Sequence, residues 1–235
     1  LYLNFEALKA SPATEIDPRN EGEALWQKQH SRDLLLKRRK LDPQRFEAMY
    51  QGHPTSHEGL LYSDKFQEYD TLPRDIVLRG NYTDTADLGE DYLASICYSV
   101  DSDGLIYVTD VVYTQEAMER SEGRVADMLK RNDTRRAVIE SNNGGRGFAR
   151  AIQRLAPKVR VEWFHQSGNK EARILSNSAT ALHLIRMPRG WHLRWPELYA
   201  HLVTYKRLFR ANRHDDAAHA ITGIVEREAG TTSEG

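Results

Sequence analysis

The sequence predicts an α/β fold in which a mixed β-sheet carries helices on both faces. Three apolar segments rich in β-branched residues come first, at residues 76–82, 92–100 and 105–113, and polar turns separate them. Consecutive segments joined by turns are typical of antiparallel strands. From residue 116 onward, amphipathic segments alternate with short apolar ones, which is the pattern of parallel strands connected by helices. We therefore expect three antiparallel strands followed by parallel strands in one sheet.

The first 72 residues predict a helical segment ahead of the main domain, which we place at residues 73–235. Residues 22–40 carry apolar side chains at helical spacing and predict a helix. Asp42 and Pro43 mark the start of a second short helix, because aspartate is a frequent N-cap and proline suits the first helical position. This front part has too few apolar segments for a full domain, so we interpret it as a linker or connector.

The main domain continues beyond the three antiparallel strands with alternating helices and strands. Its further strands are predicted at 136–141 and 159–164, and its helices at 116–132, 148–156, 169–183, 195–209 and 215–228. This is the order of elements in RNase H-like folds. Several other α/β folds begin in the same way, so the order by itself does not decide between them.

Composition excludes some classes of protein and limits others. No stretch approaches the roughly 20 apolar residues that a membrane span needs. The single cysteine, Cys97, rules out an internal disulfide and suits a reducing intracellular setting. The formal net charge is −1, so binding to nucleic acid would need local basic clusters such as residues 37–40 and 131–136. Taken alone, each of these clusters is explained better as a solvated helix end.

Acidic residues occur at the ends of predicted elements that a sheet would bring together. Asp84 follows the first strand, Glu140 closes the strand at 136–141, and Asp215 with Asp216 opens the last helix. Acidic residues at one edge of a sheet repel one another unless a hard divalent cation such as Mg²⁺ neutralises them. Asp84 in a turn and Asp215 as an N-cap have ordinary explanations, whereas a carboxylate that closes an apolar strand, as Glu140 does, is harder to explain as a surface residue.

Four sequence blocks carry a resemblance to a known family. In chain order they are YTDTADLGEDYLAS, VIESNNGGRGFAR, GNKEARI and HDDAAHAITGIVE. They resemble the C-terminal nuclease domain of phage and prophage large terminase subunits. The front segments ALWQKQHSRDLLLKRR and RFEAMYQGHP resemble the connector between the ATPase and nuclease domains of that family. The resemblance covers about residues 22–228, and the combination of blocks is more specific than any one of them.

The resemblance implies an RNase H-like fold, two Mg²⁺ or Mn²⁺ ions, and endonucleolytic cleavage of concatemeric double-stranded DNA during packaging. It implies catalytic, metal-binding roles for four acids, an auxiliary metal-binding role for a fifth, and phosphate contacts for two basic residues of the GNKEARI block. In that order these residues are Asp84, Glu140, Asp215 with Asp216, Asp91, and Lys170 with Arg173. Either Asp215 or Asp216 could supply the third metal ligand, and an exposed helix face also explains Lys170 and Arg173.

The sequence departs from the family pattern at one position and lacks one motif. Many members carry an acid where His219 stands, which puts the ligand at that position in doubt. No phosphate-binding G-x-x-x-x-G-K-[ST] motif is present, so we expect no ATP site here and an ATPase domain N-terminal to Leu1. The implied partners are double-stranded DNA, that ATPase domain, the small terminase subunit and the portal protein, in the cytoplasm of a bacterial host. Two alternatives stay open: another RNase H-like nuclease of the resolvase or transposase kind, and a non-catalytic docking module.

Overall fold

The computed structural model describes residues 5–41, 43–51, 59–63, 66–86, 91–142 and 145–229. The helices are α1 (Arg32–Leu41), α2 (Pro43–Tyr50), α3 (Met118–Arg131), α4 (Gly145–Leu155), α5 (Lys170–Leu184), α6 (Trp191–Arg194), α7 (Pro196–Val203) and α8 (Asp216–Glu228). The strands are β1 (Gln67–Tyr69), β2 (Ile76–Asp84), β3 (Leu93–Asp101), β4 (Ile106–Thr114), β5 (Arg136–Glu140), β6 (Arg160–Phe164) and β7 (Ile185–Pro188). The Asp42 cap that the sequence predicts lies outside the described residues.

The strands form one mixed sheet in the order β1-β7-β4-β3-β2-β5-β6. Strands β2, β3 and β4 are antiparallel neighbours, and β5 and β6 continue the sheet in parallel from β2. On the other side, β7 pairs in parallel with both β4 and β1. The predicted α/β fold with three antiparallel strands followed by parallel ones is confirmed.

Two hydrophobic cores lie on opposite faces of this sheet. Alternating side chains of β5 separate them, because successive residues of a strand point to opposite faces. Ala137 and Ile139 pack with α3 and α4, whereas Val138 packs with α5, α7 and α8. Strand β3 lies between β2 and β4 and is buried along its whole length. Helices therefore cover both faces of the sheet. Loops occupy the end of the sheet where β2 and β5 terminate.

Two predicted helices differ from the structure, and strand β7 was not predicted. The first helix begins at Arg32, ten residues after the predicted start at residue 22, because turns occupy the preceding segment. The helix predicted over 195–209 ends at Val203, since Leu60 pairs with Lys206 in an isolated bridge. Strand β7 has only four residues, which are too few to reveal the period of two by which a strand is predicted.

The front segment has a small core of its own. Leu8, Leu35 and Phe46 are buried together, and both α1 and α2 approach α7. Trp26 is 65% exposed, so it is not part of that core. The division at residue 72 stays a prediction. None of the described helices combines the length and the apolar character required to cross a bilayer.

Helix α8 lies against β2 at a glycine, and this contact yields a stability prediction. A Cβ atom at Gly223 would lie 2.0 Å from Cζ of Tyr82, which is almost fully buried. We expect Gly223→Ala to lower the free energy of unfolding by about 1–3 kcal/mol, because overpacking a tight interface displaces one of its elements. Urea denaturation measures the change.

Gly123 in α3 is the matched control, because a Cβ there would meet nothing within 4 Å. We expect Gly123→Ala to be neutral or to stabilise by up to about 1 kcal/mol through helix propensity. Equal effects of the two alanines would contradict the close packing of α8 on β2.

Candidate metal centre

Three side chains from three different elements converge where β2 and β5 end. Asp84, Glu140 and His219 each offer one ligand atom, and these atoms all lie within 4.8 Å of one another. His219 Nδ1 lies 2.8 Å from an Asp84 carboxylate oxygen, and His219 Nε2 lies 3.5 Å from Glu140 Oε1. The exposed fraction of the side chain is 13% for Asp84, 1% for Glu140 and 6% for His219. The group is thus a largely buried set of two carboxylates and one imidazole.

Sheet register and helix spacing produce this convergence. Strands β2 and β5 run in parallel with Thr83 opposite Ile139, so the residues that follow, Asp84 and Glu140, end side by side. His219 lies in the first turn of α8, where its amide donates to the carbonyl of Asp215 over 2.8 Å. Gly223 is one turn further along the same helix face and allows that face to approach β2.

Glu140 is a buried carboxylate with a defined set of neighbours. The hydroxyl of Tyr82 donates a short hydrogen bond to Glu140 Oε1, and Thr85 Oγ1 donates to the Glu140 carbonyl over 3.1 Å. Burial, and then the nearby Asp84 carboxylate, raise the pKa of Glu140 above its ordinary value. A carboxyl in such surroundings gains most from a nearby cation, because a positive charge offsets both its lost hydration and the repulsion from Asp84.

Removal of the Tyr82 hydroxyl is expected to weaken metal binding at Glu140. Tyr82→Phe removes the donor that orients Glu140, and loss of an outer partner of a metal ligand typically lowers affinity by about tenfold to a hundredfold. Tyr107→Phe is the control. The Tyr107 hydroxyl also donates to a carboxylate, that of Asp101, but it does so at the opposite end of the strands, where β2 begins. Isothermal titration with Mn²⁺ should separate the two variants. The role of Tyr82 would be wrong if both bound Mn²⁺ as wild type does.

His219 connects the acids to a basic residue of α5. Arg173 Nη1 lies 2.7 Å from His219 Nε2, while Arg173 Nε donates to both carboxylate oxygens of Glu226 over 3.0 and 3.1 Å. Because the guanidinium can only donate, Nε2 accepts from it and Nδ1 carries the proton towards Asp84. Arg173 therefore faces the acidic group and is ion-paired, instead of lying on an exposed helix face.

Asp215 and Asp216 form a second acidic group beside the first. Lys170 Nζ lies 2.5 Å from Asp215 Oδ1 and 3.8 Å from Asp216 Oδ1, and the Tyr92 amide donates to Asp216 over 3.0 Å. Burial, opposed by these partners, raises the pKa of Asp216 to about 6. Asp215 occupies the N-cap position of α8, but its side chain makes no capping hydrogen bond. The ordinary N-cap explanation of Asp215 therefore does not describe its side chain.

The structure thus brings six of the seven residues singled out in the sequence to one end of the sheet. Asp84 and Glu140 lie in the three-residue group, Asp215, Asp216 and Lys170 lie beside it, and Arg173 contacts it through His219. Asp91 is exposed and is not a member of the group. Sequence reasoning missed Tyr82 and assigned no partner to His219. The three-residue step from Asp216 to His219 along one helix face was the available signal.

A small cavity of about 150 Å³ opens beside these residues and also reaches Asn142 and Gln166. The Asn142 side chain holds the loops after β5 and β6 together, because it donates to the backbone carbonyl of Gln166 and accepts from the backbone amide of Gln166, each over 3.1 Å. Two carboxylates and an imidazole are donors that Mg²⁺, Mn²⁺ and other first-row divalent ions use. The residues present therefore fit a divalent metal ion.

A known family model matches a part of the chain that includes Asp84 and Glu140 but ends before His219. Residues 83–187 match the family model described as Terminase Bacteriophage T7, Ribonuclease H-like domain. No curated protein matches the chain. The confirmed order of strands and this match agree on an RNase H-like fold.

The similar solved structures are phage large terminases. The nuclease domain of the P22 large terminase has a TM-score of 0.55 at 13% identity, over 72% of this chain and 92% of that one. The large terminase of the thermophilic bacteriophage D6E has a TM-score of 0.53 at 14% identity, over 83% of this chain and 52% of that one. A further structure, the nuclease of phage G20c with bound magnesium, has a TM-score of 0.47 at 15% identity. The chain thus spans about half the length of the D6E protein.

Proposed function

We propose that the chain is a divalent-metal-dependent DNA endonuclease, because residues 83–187 match the family model of the RNase H-like domain of a phage terminase. The observation that carries the proposal is the buried group of Asp84, Glu140 and His219 at the adjoining ends of two parallel strands. Two carboxylates held this close in a buried position favour a bound cation over an unoccupied site. The reaction is the hydrolysis of a phosphodiester bond.

Two ions are proposed, with Mg²⁺ or Mn²⁺ as the physiological metals. Asp84 and Glu140 would hold one, with the His219 imidazole beside them, and Asp84 with Asp215 or Asp216 would hold the other. A pair of such ions supplies an activated water and stabilises the oxygen that leaves the phosphorus. Asp91, which is exposed, would be at most an outer contributor.

The chain's own residues supply orientation and charge. Tyr82 orients the Glu140 carboxylate, and the His219 imidazole fixes the position of Asp84 through its Nδ1 proton. Lys170 and Arg173 hold their positive charges beside the acids. When a DNA phosphate arrives, these two cations are positioned to contact its oxygens, since charge-assisted contacts to phosphate are strong and do not depend on sequence.

The proposed substrate is concatemeric double-stranded DNA, and the proposed setting is the packaging reaction in the cytoplasm of a bacterial host. In this account residues 1–72 connect the nuclease to a terminase ATPase domain. The small terminase subunit and the portal protein are the remaining proposed partners. The long front segment with its own small core supports the connector role.

The test of this function is cleavage of supercoiled plasmid by the purified chain in Mg²⁺, in Mn²⁺ and in EDTA. We expect nicked and linear products with either metal and intact plasmid in EDTA. A preparation that binds Mn²⁺ yet leaves plasmid intact would favour the non-catalytic docking module. Preferential cutting of four-way junctions over linear duplex would favour the resolvase-like alternative.

A further inference from the structure

An aromatic pocket adjoins the metal centre on the side of the second acidic group. It is lined in part by Tyr92, His201, Thr204, Lys206, Arg213 and His214, and its volume is about 500 Å³. Two of these residues connect the pocket to the second acidic group. The Tyr92 amide donates to Asp216, and His214 immediately precedes Asp215 in the chain. A ligand in this aromatic pocket would therefore lie beside Asp215 and Asp216.

The ring arrangement gives the aromatic pocket a rigid wall. Tyr92 stacks on Tyr113 with ring centroids 4.4 Å apart, and His201 stacks on His214 at 4.8 Å. The Tyr92 ring meets both imidazoles edge-on, each at 5.1 Å. The Tyr113 hydroxyl lies 2.6 Å from His201 Nδ1. These contacts join the four rings into one continuous wall.

Two features of the aromatic pocket point to a polar ligand. His214 Nδ1 is buried and has no hydrogen-bond partner among the described residues, which is uncommon for a buried polar atom. The basic residues Lys206 and Arg213 stand exposed at the rim. The loop that carries them is held by Asn212, whose side chain accepts from the Lys206 amide over 2.7 Å and donates to the Lys206 carbonyl over 2.8 Å. The cations are thus presented on a preorganised loop.

We propose that the aromatic pocket is a substrate subsite that holds one nucleotide of the DNA strand next to the scissile bond. Lys206 and Arg213 would contact a backbone phosphate, and the face formed by Tyr92, His201 and His214 would contact the sugar or base. In proteins that bind single-stranded nucleic acid without sequence preference, a positively charged groove combined with aromatic rings holds the backbone and the bases, and we infer the same chemistry for one nucleotide at this pocket. This subsite rests on the proposed nuclease function, because DNA is the ligand that it takes.

The primary test measures binding and not cleavage. A short fluorescein-labelled DNA duplex is titrated with the full chain in EDTA, and the Kd is read from fluorescence anisotropy. For the double variant Lys206→Ala with Arg213→Ala we expect Kd to rise about tenfold or more, and the slope of log Kd against log salt to fall by about two. Lys158→Ala is the control. Lys158 is exposed just before β6 begins, which is at the opposite end of the strands from the acidic residues. Values of Kd within twofold of wild type for the double variant would overturn the subsite.

The aromatic contribution is tested by Tyr92→Leu against Tyr92→Phe. We expect leucine to weaken binding about tenfold and phenylalanine to retain it, because stacking on DNA needs a ring and not a hydroxyl. Competition with deoxythymidine monophosphate and with inorganic phosphate then separates a nucleotide site from an anion site. Displacement of the duplex by the nucleotide at much lower concentration supports the proposal, and equal potency of the two competitors contradicts it.

These outcomes separate the subsite from the nuclease function. If wild type cuts plasmid but the variants bind DNA normally, the subsite is wrong and the nuclease stands. If wild type never cuts but the variants lose DNA binding as described, the aromatic pocket stands as a DNA-binding site and the nuclease assignment is wrong. Titration of each variant with Mn²⁺ should give the wild-type affinity, since none of the changed side chains belongs to the Asp84, Glu140 and His219 group.

Discussion

Replacement of Asp84 by asparagine is expected to lower the rate of metal-dependent DNA cleavage by about a hundredfold to a thousandfold. Asparagine keeps the shape of the side chain but removes the charge that two proposed metal ions would share. Stability should not fall, because the substitution also removes the repulsion between Asp84 and the buried Glu140. Plasmid cleavage and urea denaturation of the same preparation measure both effects.

The matched control for Asp84 is Asp127→Asn. Asp127 is exposed on α3 and pairs with Lys130, so the same change of charge is made far from the acids. We expect wild-type cleavage from this variant. Cleavage by Asp84→Asn at the wild-type rate would remove Asp84 from the site, and a similar loss in both variants would indicate a general effect of net charge.

Replacement of Gly145 by alanine is expected to disrupt the centre without touching a ligand. A Cβ atom at Gly145 would lie 2.0 Å from the carbonyl oxygen of Glu140 and 2.8 Å from Thr85 Oγ1. The nearest atom is backbone, so either α4 or the end of β5 must move. We expect the free energy of unfolding to fall by about 1–3 kcal/mol. Mn²⁺ affinity should fall as well, because Glu140 moves with its carbonyl.

Gly147→Ala tests the same helix without the clash, since a Cβ there would meet nothing within 4 Å. We expect this variant to retain Mn²⁺ binding and to be as stable as wild type or slightly more so. The comparison is made by thermal denaturation and by Mn²⁺ titration. A Gly145→Ala protein that binds Mn²⁺ like Gly147→Ala would contradict the close approach of α4 to Glu140.

Much of the sheet could be predicted from the sequence because its strands are long and strongly patterned. The segments that became β2, β3 and β4 are each nine residues long, and their boundaries differ from prediction by at most two residues. Strand β5 closes on Glu140 as predicted, and parallel pairing with β2 places Asp84 beside it. Local pattern was sufficient here, because order and pairing in such a sheet follow from alternation of strands and helices.

The contacts within the site could not be predicted in the same way. The bond from Tyr82 to Glu140 joins residues 58 positions apart, and the contact between His219 and Asp84 spans 135 positions. Such contacts depend on how α8 crosses the sheet, which local propensity does not determine. Tyr82 also looked like an ordinary core residue, because a tyrosine in an apolar strand fits a buried position equally well. His219 was recognised only as a departure from a family pattern.

The end of α7 illustrates a different limit. The segment over 195–209 has helical spacing throughout, yet the helix stops at Val203. Thr204 Oγ1 donates to the Ala200 carbonyl over 2.7 Å, and Asn212 holds the loop that follows. Tertiary pairing of Lys206 with Leu60 therefore outweighs helix propensity. The same loop forms the rim of the aromatic pocket, so the error in prediction hid a candidate binding surface.

The central claim is that Asp84, Glu140 and His219 form a divalent-metal centre. Its most direct test is an anomalous difference map from crystals of this chain soaked in Mn²⁺. We predict a peak bounded by the Asp84 and Glu140 carboxylates, with the His219 imidazole beside it. A crystal that takes up Mn²⁺ elsewhere and leaves these three side chains without a peak would contradict the claim.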